Sequence, residues 1–408
     1  MLDHIGAKKT RTKILYIHHG KGLGGAPLSL LYLVKNLDKT LYDPVVLFLH
    51  DSPVIKLFKD HDIAIMGPVN LYDFPHTKIW SFSWYHVKPF CRAIKDTVKT
   101  IFSVAPAIFN DVKPDIVHLN TSSLLGWGIV ASRLKIPVVW HVREPLAHGY
   151  LGLRRLFVKY IVGRYASSIV PISINDALPW QEYSKTKVVY NAVDPAVFDA
   201  SFDASSFRVS HALQADTPII LFVGGVSQEK GTHVILQSFI ELLKRFPTAK
   251  LVIAGSWDLS SESWVKCAFP VACYKRKIDA LVRQIPPNNI INLGLVSPIA
   301  PVMAAANIIV FPATVGHFAR PIIEAGYMKK VVIASDYPPL TELVVNNVTG
   351  FLVPSNNHTM WAEKMYILLT NKQLRDSMAS AAYNFCLKRF SITNQIQIVQ
   401  ELYESFFV

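Results

Sequence analysis

The chain has 408 residues, of which 51% are hydrophobic and only 17% charged, so it is too long for one ordinary domain and too apolar for disorder. Lys and Arg number 42 against 29 Asp and Glu, a net charge of +13 that suits nucleic acid, an anionic membrane surface or an anionic small substrate. Apart from Lys8–Lys13 and Lys275–Lys277 these positive residues are spread out, which argues against a dedicated nucleic-acid surface.

Lys13–His18 reads as a first strand, with glycine-rich Gly20–Pro27 behind it and an apolar-periodic helix over Leu28–Leu37. Pro44–Leu49 reads as the next strand, Val54–Lys59 as a short helix and Ile63–Met66 as a third strand. Asp115–Asn120 and Ile136–His141 are two more buried strands separated by a small-residue helix, and Ser167–Ser173 and Lys187–Tyr190 close the first half. The pattern restarts at Pro218–Val223, again with a glycine-rich turn, Gly224–Gly231, followed by a helix over Thr232–Arg245. Lys250–Ala254, Ile290–Leu293, Ala306–Phe311, Val331–Ala334 and Gly350–Val353 read as further strands, and Ile392–Phe407 as a final apolar-periodic helix. Strands alternating with helices imply parallel, doubly wound α/β sheets. Asp194–Gln214, rich in Ser, Asp and Ala without long apolar runs, is expected to be the linker between two Rossmann-like domains.

The four cysteines, Cys91, Cys267, Cys273 and Cys386, form no CxxC pair, so structural zinc is not expected, and so few thiols suit a reducing compartment. Met1–Lys13 is polar and basic, unlike a secretory leader. No run approaches the ~18 uninterrupted apolar residues of a membrane-spanning helix. A cytoplasmic protein, peripheral on the membrane at most, is the expectation.

Candidate chemistry gathers at the loops that follow apolar strands. Pro312–Ala319 is a small polar loop after Ala306–Phe311, and Pro321 suits the first turn of a helix striped by Ile322, Ile323, Ala325 and Met328. That unit aims a helix N-terminus, with Glu324 in its first turn, at the sheet crevice where open α/β folds bind ligands. An anion on the amides and hydroxyls on the acid would suit a sugar phosphate. Lys230 opens a helix, where its charge opposes the macrodipole, so a nearby anion makes sense of it. Gly24 and Gly25 follow the first strand and open its helix, where a backbone without side chains can approach a phosphate or sugar closely. Gly20, Gly22 and Gly25 also spell the dinucleotide pattern GxGxxG; a nicotinamide enzyme would further want an acid after the second strand, where Asp51 is the nearby one.

His317–Gly326, HFARPIIEAG, resembles the donor-binding motif of retaining glycosyltransferases with the GT-B fold, particularly the large family 4. The family's usual pattern is two glutamates separated by seven residues, with Phe-Gly and Leu-Pro between them. Phe318, Pro321, Glu324 and Ala325 match it, and Gly316 stands at the first glutamate. Phe222–Gly231, FVGGVSQEKG, resembles the family's phosphate turn, in which an arginine and a lysine hold the nucleotide's pyrophosphate. Lys230 matches that lysine, whereas Gly225 stands at the arginine. Asn191–Asp194, NAVD, is similar to the Asn-Gly-Val-Asp of the domain junction.

The resemblance implies a GT-B architecture of two Rossmann-like domains facing a central cleft. Residues 1–195 would form the acceptor-side domain, with the C-terminal helix 392–408 packing back on it, and 196–391 the nucleotide-sugar-binding domain. It further implies transfer of a hexosyl unit from a UDP- or GDP-linked sugar to a hydroxyl with retained configuration, without metal or cofactor. Glu324 would hold the ribose, Lys230 the diphosphate, Gly24 and Gly25 would face the phosphates, and His317 with the amides of Phe318 and Ala319 would take part of the load of the absent glutamate. Arg320, where leucine is usual, would partly replace the cation missing at 225; an interdomain salt bridge is the alternative. His141 would stand near the reacting oxygen, and Arg143 and Glu144 on the acceptor side. The acceptor would be a glycan, a polysaccharide precursor or a lipid-linked saccharide. Lys78–Phe109, aromatic and basic, including Trp80, Phe82, Phe102 and Phe109, would meet an inner-membrane surface or pack the first core. Asp60 and Asp62, the one Asp-x-Asp, precede a strand and so sit at the wrong end of the sheet for metal in the cleft. A GT-B sugar-nucleotide epimerase, a non-catalytic sugar-nucleotide-binding protein and, less consistent with the motifs, a nucleic-acid binder are the rival readings.

Overall fold

The computed structural model describes residues 11–20, 22, 24–74, 84–257 and 268–407. Of the residues singled out above, Lys8, Lys78, Trp80, Phe82 and Cys267 lie outside the described residues. The chain divides into two compact units, Met1–Asn191 with Ile392–Val408, and Ala192–Ser391.

In the first unit six strands run β1 (Thr12–His18), β2 (Tyr42–Phe48), β3 (Ala64–Met66), β4 (Ile116–Leu119), β5 (Val138–Val142) and β6 (Ser168–Pro171). All pair in parallel, in the order β3-β2-β1-β4-β5-β6. Such a sheet must be covered on both faces, and β1 meets that requirement with Ile14, Leu15, Tyr16 and Ile17 all fully buried. Leu15 and Ile17 enter the core that holds Trp127 and Trp140, whereas Ile14 and Tyr16 enter the opposite core. That second core is completed by Ile396, Val399, Leu402 and Tyr403 of the last helix, Ile392–Glu404. The tail of the chain is thus a structural part of the first unit.

The second unit repeats the scheme with β7 (Ile219–Val223), β8 (Lys250–Ala254), β9 (Ile290–Gly294), β10 (Ile308–Phe311), β11 (Val331–Ser335) and β12 (Gly350–Val353). Its order is β12-β11-β10-β7-β8-β9, again all parallel. In each sheet the winding direction reverses once, between β1 and β4 and between β7 and β10. Those switch points leave a crevice beyond the strand ends, where doubly wound sheets bind ligands.

Two sequence expectations are corrected. Lys187–Tyr190 is not a strand. It runs beside β6, with Lys187 N donating to Ile169 O at 2.9 Å and Val189 N to Pro171 O at 2.9 Å, but only one parallel bridge forms, Ile169 with Thr186. Pro171 has no N–H to return, so the ladder cannot continue. Asp194–Gln214 is also more ordered than a linker would be. It carries a helix, Ser205–Ser210, with Phe207 buried and Arg208 donating to the carbonyls of Gln214, Thr217 and Ala305 at 2.9 Å each.

Candidate functional site

At the second unit's switch point the loop after β7 and the loop after β10 lie side by side. Thr314 N donates to Glu229 O at 2.8 Å and Thr314 Oγ1 to Gln228 O at 2.7 Å, joining the Lys230 loop to the segment that leads into Arg320–Tyr327. Within the first loop Thr232 Oγ1 donates to Gly225 O at 2.8 Å and accepts from Ser227 N at 2.9 Å, and Tyr274 Oη donates to Ser227 O at 3.1 Å. Lys230 reaches solvent, yet the protein around it lowers its pKa by desolvation. It presents a cation beside the start of helix Thr232–Leu243.

The two departures from the motif have a structural cause. Gly225 has φ +63°, a left-handed conformation, and a Cβ there would lie 2.3 Å from Ser256 O. A Cβ on Gly316 would lie 2.4 Å from Pro338 O. Neither backbone has room for the arginine or glutamate of the usual pattern.

Glu324 is buried on helix Arg320–Tyr327, whose N-cap is Ala319; because the helix already starts at Arg320, Glu324 lies beyond its first turn rather than in it. Arg320 Nε lies 2.7 Å from Glu324 Oε1, one helical turn away, so the two residues pair within their own helix. Burial raises the Glu324 pKa and the Arg320 charge opposes that rise. His317 Nδ1 donates to Val315 O at 3.1 Å, and His317 and Phe318 are half-buried on the same loop.

The first unit gathers its candidates at the equivalent switch point, around Arg143. Arg143, buried just after β5, donates through Nε to Asn120 Oδ1 and through Nη1 to Asn191 Oδ1 at 2.5 Å, and its Nη2 lies 3.4 Å from His141 Nδ1. A guanidinium only donates, which fixes the Asn120 amide with its nitrogen away from Arg143. That Nδ2 lies 3.0 Å from His18 Nδ1 and 3.4 Å from Ala26 O, tying the Gly24–Gly25 helix start to the same cluster. Among the described residues, a Cβ at Gly25 would meet no atom within 4 Å. His141 Nδ1 lies 3.0 Å from His118 Nε2, and His118 Nδ1 lies 2.7 Å from Tyr403 Oη. Burial, with Arg143 as the second cause, holds the pKa of both His118 and His141 well below the ordinary histidine value; burial, His19 and Arg143 push His18 down to about 3. Nε2 of His18 and of His141 are buried and make no hydrogen bond among the described residues.

Glu144 is anchored differently. Its Oε1 accepts from Thr121 Oγ1 at 2.6 Å, Ser122 N at 2.8 Å and Ser122 Oγ at 2.6 Å, so one carboxylate oxygen holds the loop after β4. The structure thus brings Gly24, Gly25, His141 and Arg143 into one cluster with Glu144 beside it. His317, Phe318, Ala319, Arg320, Glu324 and Lys230 form the second unit's set. His18, His118, Asn120 and Tyr403 were not singled out from sequence, although a histidine inside or ending each of three apolar strands was the available signal.

The model for Glycosyl transferases group 1 matches residues 203–385, and the model for Glycosyltransferase Family 4 matches residues 23–197, one on each half of the chain. The chain belongs to the GT-B glycosyltransferases of the family 4 type. Among curated relatives, it is 24% identical over 340 residues to the capsular polysaccharide biosynthesis glycosyltransferase CapM of Staphylococcus aureus, covering 79% of this chain and 85% of that one. It is 26% identical over 215 residues to an uncharacterized glycosyltransferase of Methanocaldococcus jannaschii, covering 52% of this chain and only 51% of that protein. Among solved structures, Anabaena HepE in complex with UDP and glucose superposes with a TM-score of 0.77 at 21% identity, covering 97% of this chain and 100% of that one. In this GT-B glycosyltransferase the two six-stranded sheets are the two Rossmann-like lobes of the fold.

Proposed function

We propose that this glycosyltransferase moves a hexosyl unit from a nucleotide diphosphate sugar to a hydroxyl acceptor, with retained configuration and without metal. The observation that carries the reading is the pairing of the Lys230 loop with the helix of Glu324 at one switch point, joined through Thr314. Lys230 and the amides of two loops then hold the diphosphate, and Glu324 the ribose hydroxyls once its bond to Arg320 is shared or released. Catalysis would rest on positioning and on stabilising the departing diphosphate, with Arg320 as a second cation. His141 would stand at the sugar. UDP is the first donor base to test, since relatives of the same fold are described with it.

The acceptor reading is a glycan or polysaccharide precursor, lipid-linked and met at an anionic membrane surface. Two helices of the first unit support this. Trp84–Lys99 and the turn after it expose Val87, Ile94, Val98 and Phe102, with Lys88, Arg92, Lys95 and Lys99 exposed alongside. Leu153–Tyr165 exposes Leu153, Leu156, Phe157 and Tyr160 and contains no acid. Phe109 instead packs in the core. Apolar stripes interleaved with cations suit anionic headgroups and the acyl boundary beneath them. Sedimentation with phosphatidylglycerol vesicles should carry the protein down at low salt and release it at high salt. Equal recovery with phosphatidylcholine vesicles would remove this part of the reading.

The test of the reaction follows nucleoside diphosphate release and the fate of the labelled sugar together. Transfer gives nucleoside diphosphate and a glycosylated acceptor, whereas an epimerase without acceptor gives an epimerised sugar, either free together with nucleoside diphosphate or still attached to the nucleotide. Binding with no turnover across UDP- and GDP-sugars would leave a non-catalytic sugar-nucleotide protein.

A further inference from the structure

We propose that Tyr403, on the C-terminal helix, is a positioning residue for His141, acting through His118 to present a neutral Nε2–H at the site. The proposal rests on the reading of His141 as a residue that touches the sugar.

The hydrogen-bond chain runs from Tyr16 Oη to Tyr403 Oη at 2.8 Å, from Tyr403 Oη to His118 Nδ1 at 2.7 Å, and from His118 Nε2 to His141 Nδ1 at 3.0 Å. All four side chains are essentially inaccessible to solvent. Its direction is fixed at one end by Arg143, whose Nη2 lies 3.4 Å from His141 Nδ1. A guanidinium cannot accept, so a proton on that Nδ1 would face a cation's N–H. His141 Nδ1 is therefore the lone pair, and His118 Nε2 donates to it. His118 Nδ1 must then accept, which makes Tyr403 its donor and Tyr16 the donor to Tyr403. Each of the three links then joins one donor to one acceptor, and the reverse arrangement sets two protons against each other at His141.

The consequence is chemical. His141 carries its proton on Nε2, the buried nitrogen with no hydrogen-bond partner among the described residues. A buried N–H without a partner is disfavoured unless a ligand oxygen completes it. His141 thus offers a hydrogen bond to substrate rather than a lone pair to accept a proton. Among the described residues the charged group that acts on the chain is Arg143, with Tyr42 the further titratable neighbour of Tyr16 and Tyr403. None of these supplies a carboxylate to stabilise an imidazolium. The last helix, packed in the first unit, supplies Tyr403, the link between Tyr16 and His118.

The test is the histidine ring 15N–1H spectrum of the full-length chain labelled at histidine, assigned with His118→Gln and His141→Gln. The wild type should show both rings as single Nε2–H tautomers. Tyr403→Phe keeps the ring but removes the hydroxyl. It should let a second tautomer grow in at His118 and His141, and lower kcat about tenfold with KM for the sugar nucleotide unchanged. An Nδ1–H tautomer at His141 in the wild type would overturn the proposal, and that spectrum needs no variant to fold. So would a Tyr403→Phe enzyme with unaltered tautomers and kcat within twofold. If the tautomers are as expected but His141→Gln keeps full kcat, it is the assignment of His141 to the sugar that fails.

Discussion

Gly316 and Gly225 are the residues at which this chain leaves its family's pattern, and in both places the backbone decides. At Gly316 the carbonyl of Pro338 occupies the space of a side chain, and at Gly225 the left-handed φ and Ser256 do the same. Gly316→Glu should therefore lower stability by about 1–3 kcal/mol, as overpacking does, without tightening donor binding. Urea unfolding and donor titration on the same preparation check this. Full stability with stronger binding would show that the loop accommodates the glutamate after all. The buried histidines make a second residue-scale prediction. His18, His118 and His141 have folded pKa values below the ordinary 6.5, so the unfolded chain binds protons that the folded one does not. Their stabilising contribution is complete above about pH 6.5 and is lost as pH falls toward the folded values, by about 1.4 kcal/mol per pH unit for each group. Urea unfolding at pH 7 and pH 5 should show the loss, and replacing His18 by Gln should reduce its slope by about one proton. A slope unchanged by that replacement would contradict the neutral, buried state of His18.

At the scale of elements, the apolar strands were legible because a parallel sheet buried on both faces leaves little choice of residue. KILYIH, PIILFV and NIIVF carry their burial in their composition. Lys187–Tyr190 reads the same way but has Pro171 opposite, and no local pattern reveals a partner's missing N–H. Helix Leu153–Tyr165 escaped because its exposed Leu153, Leu156, Phe157 and Tyr160 blur the contrast between faces on which helix reading depends. Lys230 and Glu324 were legible because the loops that hold them are contiguous motifs. The buried chain was not, because His118 and Tyr403 lie 285 residues apart and meet only when the last helix packs on the first sheet. That helix also carries an energetic prediction. Leu402, buried in the core it shares with Tyr16 and Phe48, should cost about 2–5 kcal/mol when replaced by Ala. A loss under 0.5 kcal/mol in urea unfolding would mean that the helix is only loosely held.

At the scale of the whole molecule, two lobes of the same winding each carry one switch point, and each switch point holds one half of the candidate machinery. Among the described residues no helix is long and apolar enough to cross a membrane. The net charge of +13 favours a polyanionic donor, and its affinity should fall as salt rises. The most direct measurement is calorimetric titration of UDP- and GDP-sugars into the full-length protein, its Lys230→Ala variant and its Glu324→Gln variant. One nucleotide class should bind the wild type, and loss of the ammonium should weaken that binding about ten- to hundredfold, as a charge-assisted contact does. Failure of every nucleotide sugar to bind, or binding that neither substitution alters, would contradict the assignment of the donor to the Lys230 and Glu324 loops.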